Sequence, residues 1–278
     1  MTAQGEQKMA TQIQTVETDS FSMDYFQFGQ GEDVFVILPG LSVQSVMGFA
    51  DAVADAYKLL SDDYTIYVFD RRKELPTDYS VYDMARDTAE AFKALGLNRI
   101  NLFGASQGGM IAMVIAIEQP ELVEKLILGS TSACVEDAQA QTIKKWIQMA
   151  RAGNAADLYL AFGEAVYPRS VFEQSRALLS EAAESVTHED LKRFVILAEG
   201  IEGFNVRKDL KMIACPVLVI GSKDDRVLGA EASIQIAECT DAELYMYEGY
   251  GHAAYDTAPD YKERILRFLK QESTVKRL

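Results

Sequence analysis

The chain is read as an α/β protein, a mostly parallel sheet of eight strands with helices on both faces and one inserted helical block. Two patterns carry that reading. Short β-branched runs alternate with stretches of helical period from residue 34 to residue 128, and again from residue 217 onward. That is the rhythm of parallel strands joined by crossover helices. Between residues 131 and 212 the helical pattern continues without a convincing strand. The division expected is a core of residues 1–130 and 213–278, with a helical insertion at 131–212.

The opening residues read as frayed. TQIQTVETD and SFSMDYFQFG then alternate as antiparallel strands do. Val34 to Leu38 is continuous and β-branched, the pattern of a strand buried on both faces, and Pro39-Gly40 stops it. A helical pattern runs from Val43 to Leu60. Tyr64 to Phe69 is a strand ending at Asp70. Tyr82 to Leu95 is a helix whose stripe is Met84, Ala85, Thr88, Ala91, Phe92 and Leu95, closed by Gly96 in a left-handed cap. Arg99 to Phe103 is a strand, Gln107 to Glu118 a helix, and Val123 to Leu128 a strand. The insertion carries helices over Val135–Ala152, Ala155–Glu164, Ser170–Glu184 and Glu189–Gly203, the last with Thr187 as N-cap and Asp190 three residues on. After Cys215-Pro216 come a strand (Val217 to Ile220), a helix (Ala230 to Cys239), a strand (Glu243 to Tyr247) and a final helix (Pro259 to Gln271). Pro259 suits a first helical position. The tail TVKRL is short, basic and expected to be mobile.

Composition narrows the function. The chain has 278 residues, 49% hydrophobic and 25% charged, an ordinary globular balance. No apolar run approaches the roughly 20 residues of a membrane span, and the start lacks the apolar core of a signal peptide. A cytoplasmic location is the expectation. The net charge of −15 repels phosphate backbones and anionic bilayers, which argues against nucleic-acid and membrane partners. Cys134, Cys215 and Cys239 form no disulfide or metal framework and read as buried free thiols. With two histidines in the chain, a His-rich metal site is not expected.

The chemistry sits at strand ends. Gly104-Ala105-Ser106-Gln107-Gly108-Gly109 lies between a strand and a helix. A G-x-S-x-G in that setting is a nucleophile elbow: the turn strains the serine backbone, lifts its hydroxyl clear of the sheet, and demands tiny neighbours. The N–H of Gln107, at the helix N-terminus, supplies half of an oxyanion hole. A hydroxyl nucleophile needs a base. His252 lies just past a strand, in a loop that Gly249 and Gly251 let bend. His188, after Thr187 in the insertion, reads as an exposed first-turn residue. The base needs an orienting acid, and Asp224 or Asp225, after the strand PVLVI, can hold the imidazole. The other aspartate is expected to be solvated, or paired with Lys223 or Arg226.

These motifs, in the order Ser, Asp, His, resemble the α/β-hydrolase superfamily from Phe21 to Leu269. The resemblance includes the Pro39-Gly40 turn, the elbow, PVLVIGSKDD and GYGHAAYD. It implies an α/β-hydrolase fold with a helical cap over the active site. It selects Asp225 as the acid, because the family places that residue about nine after a proline such as Pro216 and about four before a glycine such as Gly229. Asp137 and Glu136, after the earlier strand, do not adjoin the strand end. The resemblance also makes the N–H of Leu41 the second oxyanion donor. Two departures stand out. Pro39 replaces the histidine that often braces the oxyanion loop. The charged run Asp70 to Leu75 replaces a glycine-rich turn, and reads as a solvated loop.

Catalytic Ser106, His252 and Asp225, with oxyanion donors Leu41 and Gln107, imply a serine hydrolase of small or medium carboxylic esters, thioesters or lactones. No cofactor or metal is implied, and the partner is a small acyl substrate; oligomeric state is not readable. Trp146, Met149, Tyr159, Phe162, Tyr167 and Phe172 of the insertion are candidates for an apolar acyl pocket. The same triad also serves carbon–carbon bond hydrolysis, aminopeptidase and perhydrolase chemistry, and a non-catalytic small-molecule binder can keep it.

Overall fold

The computed structural model describes residues 10–272; the opening residues and the tail Thr274–Leu278 lie outside them. The strands are β1 (Ile13–Glu17), β2 (Ser22–Gly29), β3 (Asp33–Leu38), β4 (Tyr64–Arg72), β5 (Ile100–Ala105), β6 (Val123–Gly129), β7 (Val217–Ser222) and β8 (Glu243–Tyr247). They form one sheet in the order β1-β2-β4-β3-β5-β6-β7-β8. β2 pairs antiparallel with β1 and β4, and every pairing from β4 through β3 to β8 is parallel.

The helices are α1 (Ala50–Ala56), α2 (Val81–Ala94), α3 (Gln107–Glu118), α4 (Asp137–Arg151), α5 (Ala155–Val166), α6 (Arg169–Glu184), α7 (His188–Glu199), α8 (Ala230–Thr240), α9 (Ala254–Thr257) and α10 (Tyr261–Leu269). Strand pleating sends alternate side chains to opposite faces. Val36 and Leu38 of β3 join the core under α2 and α3. Phe35 and Ile37 join the core under α1 and α10, with Tyr57 and Tyr261. β3 is thus buried on both faces, as its continuous apolar run requires.

Local signals placed several boundaries. Ser80 and Asp83 close a capping box at the start of α2, and Thr187 and Asp190 close another at α7. Gly96 has φ +71°. Four helices, α4 to α7, fill the interval between β6 and β7.

Some expectations fail. The helix expected from Val43 to Leu60 is only α1, flanked by short 3₁₀ turns. Pro259 is not a first helical residue, because α9 intervenes and α10 starts at Tyr261. Cys134 is buried, but Cys239 on the outer end of α8 is exposed. The largest difference is at the charged run. Strand β4 continues to Arg72, with Asp70 only 9% and Arg71 only 3% exposed. That part of the run is a buried network, not a solvated loop, for reasons given next.

Candidate active site

Ser106 sits between β5 and α3 with φ +52° and ψ −120°, a conformation that non-glycine residues adopt only under constraint. The constraint is backbone crowding. A Cβ on Gly104 would lie 2.3 Å from Gly108 O, and one on Gly108 only 2.0 Å from Leu38 O. A Cβ on Gly109 would meet the Thr131 side chain at 2.6 Å. Ser106 N donates to Gly129 O at 2.9 Å, and Thr131 Oγ1 donates to Ser106 O at 2.6 Å. Strands β5 and β6 thereby hold the turn from both sides. The elbow read from the sequence is present as geometry.

His252 follows β8 in a loop turned by Gly249 (φ +83°) and Gly251 (φ +63°). The residue is 2% exposed. Nδ1 is 2.9 Å from Asp225 Oδ2; a carboxylate can only accept, so Nδ1 carries the proton and Nε2 is left with its lone pair. Asp225 also accepts from Val227 N at 2.8 Å and Leu228 N at 3.0 Å. Burial pushes its carboxyl up, but His252 and the two amides outweigh that and leave it below the ordinary aspartate range.

Asp224 does a different job. It is exposed, yet pairs with neither Lys223 nor Arg226. It accepts from Ser222 Oγ at 2.8 Å, Gly249 N at 2.9 Å and Gly251 N at 3.0 Å, fastening the histidine loop to the end of β7. Lys223 pairs instead with Glu248. Arg226 donates to Glu164 O and Tyr167 O at the end of α5.

Ser106 and His252 line one small cavity of about 20 Å³ with Leu41, Met110, Ile143, Trp146, Phe162, Val166, Ile201, Val227, Leu228 and Tyr255. They are not hydrogen-bonded to each other, which is common before a substrate arrives. The insertion supplies Trp146 and Phe162, packed at 4.7 Å between centroids. Of the other insertion residues considered, Tyr159 donates to Gln44 and Phe172 is buried. Met149 packs against the core rather than this cavity. His188 is exposed at the first turn of α7.

The network the sequence did not reveal surrounds Pro39 and Gln107. Arg71 Nη2 donates to Pro39 O at 2.8 Å and reaches Gln107 Oε1 at 3.4 Å. Gln107 Nε2 donates to Leu197 O in α7 at 2.6 Å. Asp70 accepts from Ser45 Oγ and from Arg193 of α7. A guanidinium therefore braces the segment that lacks a histidine, and α7 is tied to it from two sides. Burial lowers the Arg71 pKa to about 10, with Asp70 opposing the change and Arg193 adding to it.

A family model described as "alpha/beta hydrolase fold" matches residues 33–259. The chain belongs to the α/β-hydrolase family. As a member it is a hydrolase. The match spans every element that carries the site, from β3 to the last residues before α10. "Putative carbamate hydrolase RutD" of Agrobacterium fabrum is 28% identical over 220 residues, covering 76% of this chain and 84% of the relative. Among solved structures, MGS-M2, an α/β hydrolase from a Medee basin deep-sea metagenome library, superimposes with TM-score 0.83. Its identity is 22%, covering 93% of this chain and 98% of the other. The enol-lactonase of Burkholderia xenovorans LB400 follows with TM-score 0.80 and 18% identity, covering 93% and 100%. At those identities the structures speak for the fold. Among the described residues no helix is long and apolar enough to cross a membrane.

Proposed function

We propose that this hydrolase cleaves small, uncharged carboxylic esters, thioesters or lactones through an acyl-enzyme on Ser106. The observation that carries the reading is the convergence of a strained elbow serine and an Asp225-oriented histidine on one apolar cavity. His252 Nε2 takes the Ser106 proton as Oγ attacks the acyl carbon. The N–H groups of Leu41 and Gln107 receive the oxyanion; the Gln107 donor is free of the helix ladder because first-turn amides have no intrahelical partner. His252 then protonates the leaving oxygen or sulfur, and water repeats the cycle. Helices α4 to α7 act as a cap that shields the acyl-enzyme. Among the described residues no cationic side chain lines the cavity, so a neutral acyl group is favoured.

A second reading is a neutral carbamate ester, in keeping with the name of the RutD relatives.

The test is hydrolysis of p-nitrophenyl esters from acetate to octanoate and of a p-nitrophenyl carbamate, with Ser106→Ala as control. Turnover is expected in the parent and should vanish in the variant. Fluorophosphonate labelling of Ser106 without ester turnover would overturn the substrate class. Absence of both would overturn the hydrolytic role of Ser106.

A further inference from the structure

Helix α7 buries Leu191, Phe194, Leu197 and Ala198. Arg193 and Leu197 stand four residues apart, which sets them one above the other on the helix. Two polar contacts run from this side of α7 to the sheet domain. Arg193 Nη2 donates to Asp70 Oδ1, near the end of β4. The two side chains are only 18% and 12% exposed. One turn on, the Leu197 carbonyl lies in the last turn, where carbonyls lose their intrahelical partners. It accepts from Gln107 Nε2 at 2.6 Å.

Asp70 passes the first contact on. Its Oδ2 accepts from Ser45 Oγ, and its Oδ1 also accepts from Arg71 N at 2.7 Å. Arg71 Nη2 in turn donates to Pro39 O. Pro39 and Ser45 bracket the segment that carries Leu41. That segment has no strand or helix of its own, so the anchors at its ends decide where the Leu41 N–H points. It also runs close to the nucleophile: a Cβ on Gly40 would lie 3.1 Å from Ser106 Cβ.

We propose that Arg193 is a positioning residue for the oxyanion hole. It acts through Asp70 on the Leu41 side, while the same helix holds Gln107 on the other. The inference rests on the reading of Leu41 and Gln107 as oxyanion donors. Such donors act only when aimed at the place where charge develops, and a displacement of about 1 Å caused from a distance can cost about 100-fold. The elbow itself is held by β5 and β6. The oxyanion hole, by contrast, is complete only with α7 seated. A substrate that fits badly under α4 to α7 therefore meets a nucleophile without its full oxyanion hole, and the insertion selects substrates through the rate of the chemical step.

The test compares Arg193→Met with Arg151→Met. Arg151 pairs with Glu199 of α7, an ion pair within the insertion. Hydrolysis of p-nitrophenyl acetate is read beside inhibition by 2,2,2-trifluoroacetophenone. Ser106 Oγ adds to the carbonyl carbon of that ketone, its proton passes to His252, and the ketone oxygen takes the negative charge. Affinity for the ketone thus reports on the oxyanion hole whichever ester is preferred. Arg193→Met is expected to lower kcat roughly 10- to 100-fold at nearly constant KM, and to weaken ketone inhibition by a similar factor. Arg193→Lys keeps the charge without the planar fork and should lose less; it serves also where the methionine variant does not fold. Arg193→Met and Asp70→Asn together should cost less than the product of their separate effects, because both act through one contact. Arg151→Met should leave kcat unchanged. Unaltered kcat and ketone affinity in a folded Arg193→Met, an equal loss in Arg151→Met, or a raised KM at constant kcat would overturn the inference. A parent that neither turns over esters nor binds the ketone would overturn the hydrolytic reading itself, and this inference with it.

Discussion

Replacing Arg71 with methionine keeps the length of the side chain and removes its charge. The structure sets two opposing contributions to stability. The guanidinium is 3% exposed, and its pKa falls from 12.5 to about 10. That depression means the charged form is disfavoured by about 3 kcal/mol. Against it stand the bond to Pro39 O and the longer one to Gln107 Oε1, together worth about 2–4 kcal/mol. The two nearly cancel. Thermal unfolding is therefore expected to move by only a few degrees, at roughly 2–4 °C per kcal/mol. Activity should respond differently. Pro39 O is two residues before Leu41, and Gln107 is the other proposed oxyanion donor. Outright loss of such a donor costs roughly 10²–10³ in kcat. Loosening both supports should cost roughly 10- to 100-fold, with KM nearly constant because the loss falls on the transition state. Arg71→Lys should recover part of the rate, since an ammonium keeps the charge and the donors but not the planar, rigid geometry of the guanidinium. The assay is steady-state ester hydrolysis beside a melting curve. An unchanged kcat with a fall of more than about 10 °C would refute the reasoning and make Arg71 a purely structural residue.

Three other outcomes are expected. Asp225→Asn should lower kcat by roughly 10⁴-fold without unfolding the chain, because Nδ1 would lose the acceptor that fixes the tautomer; steady-state kinetics with circular dichroism checks both parts. Asp224→Asn should destabilise the histidine loop by about 1–3 kcal/mol, as two amides lose a charged acceptor. Burial raises the Asp224 carboxyl, but hydrogen bonds from Ser222, Gly249 and Gly251 hold it below the ordinary aspartate range. Its contribution is then complete above the unfolded aspartate pKa and lost as pH falls through the lower folded value. Denaturation curves of parent and variant should converge on acidification. Gly108→Ala should cost about 3 kcal/mol or more, since the new methyl would lie 2.0 Å from Leu38 O and 2.6 Å from Pro39 O, backbone atoms that no rotamer change can move. Urea unfolding measures it.

Much of this site was legible because its signals are local. The elbow needs glycines at fixed offsets, and Gly104 and Gly108 stand there. Both Asp224 and Asp225 were open on the residues alone; the resemblance to the family, counted from Pro216 and Gly229, favoured Asp225, and the structure pairs Asp225 with His252. What stayed hidden depends on partners far along the chain. Asp70 and Arg71 read as solvated because charged residues usually are. Their burial rests on Arg193, Gln107 and Pro39, and no short-range pattern encodes that meeting. The same holds for Asp224, whose hydrogen-bond donors Gly249 and Gly251 lie on the other side of a strand and a helix.

The elbow is a place where three stretches of main chain touch with no side chain between them. Amide protons there should exchange with solvent only when the whole domain opens, because no smaller motion frees them. Stiffness of that kind limits adaptation. A lineage seeking a new substrate cannot shift the nucleophile by enlarging Gly104 or Gly108, for any side chain there strikes backbone. It must work instead through α4 to α7 and the loops they rest on. There, side chains such as Trp146 and Phe162 can be exchanged one at a time while the serine holds its place.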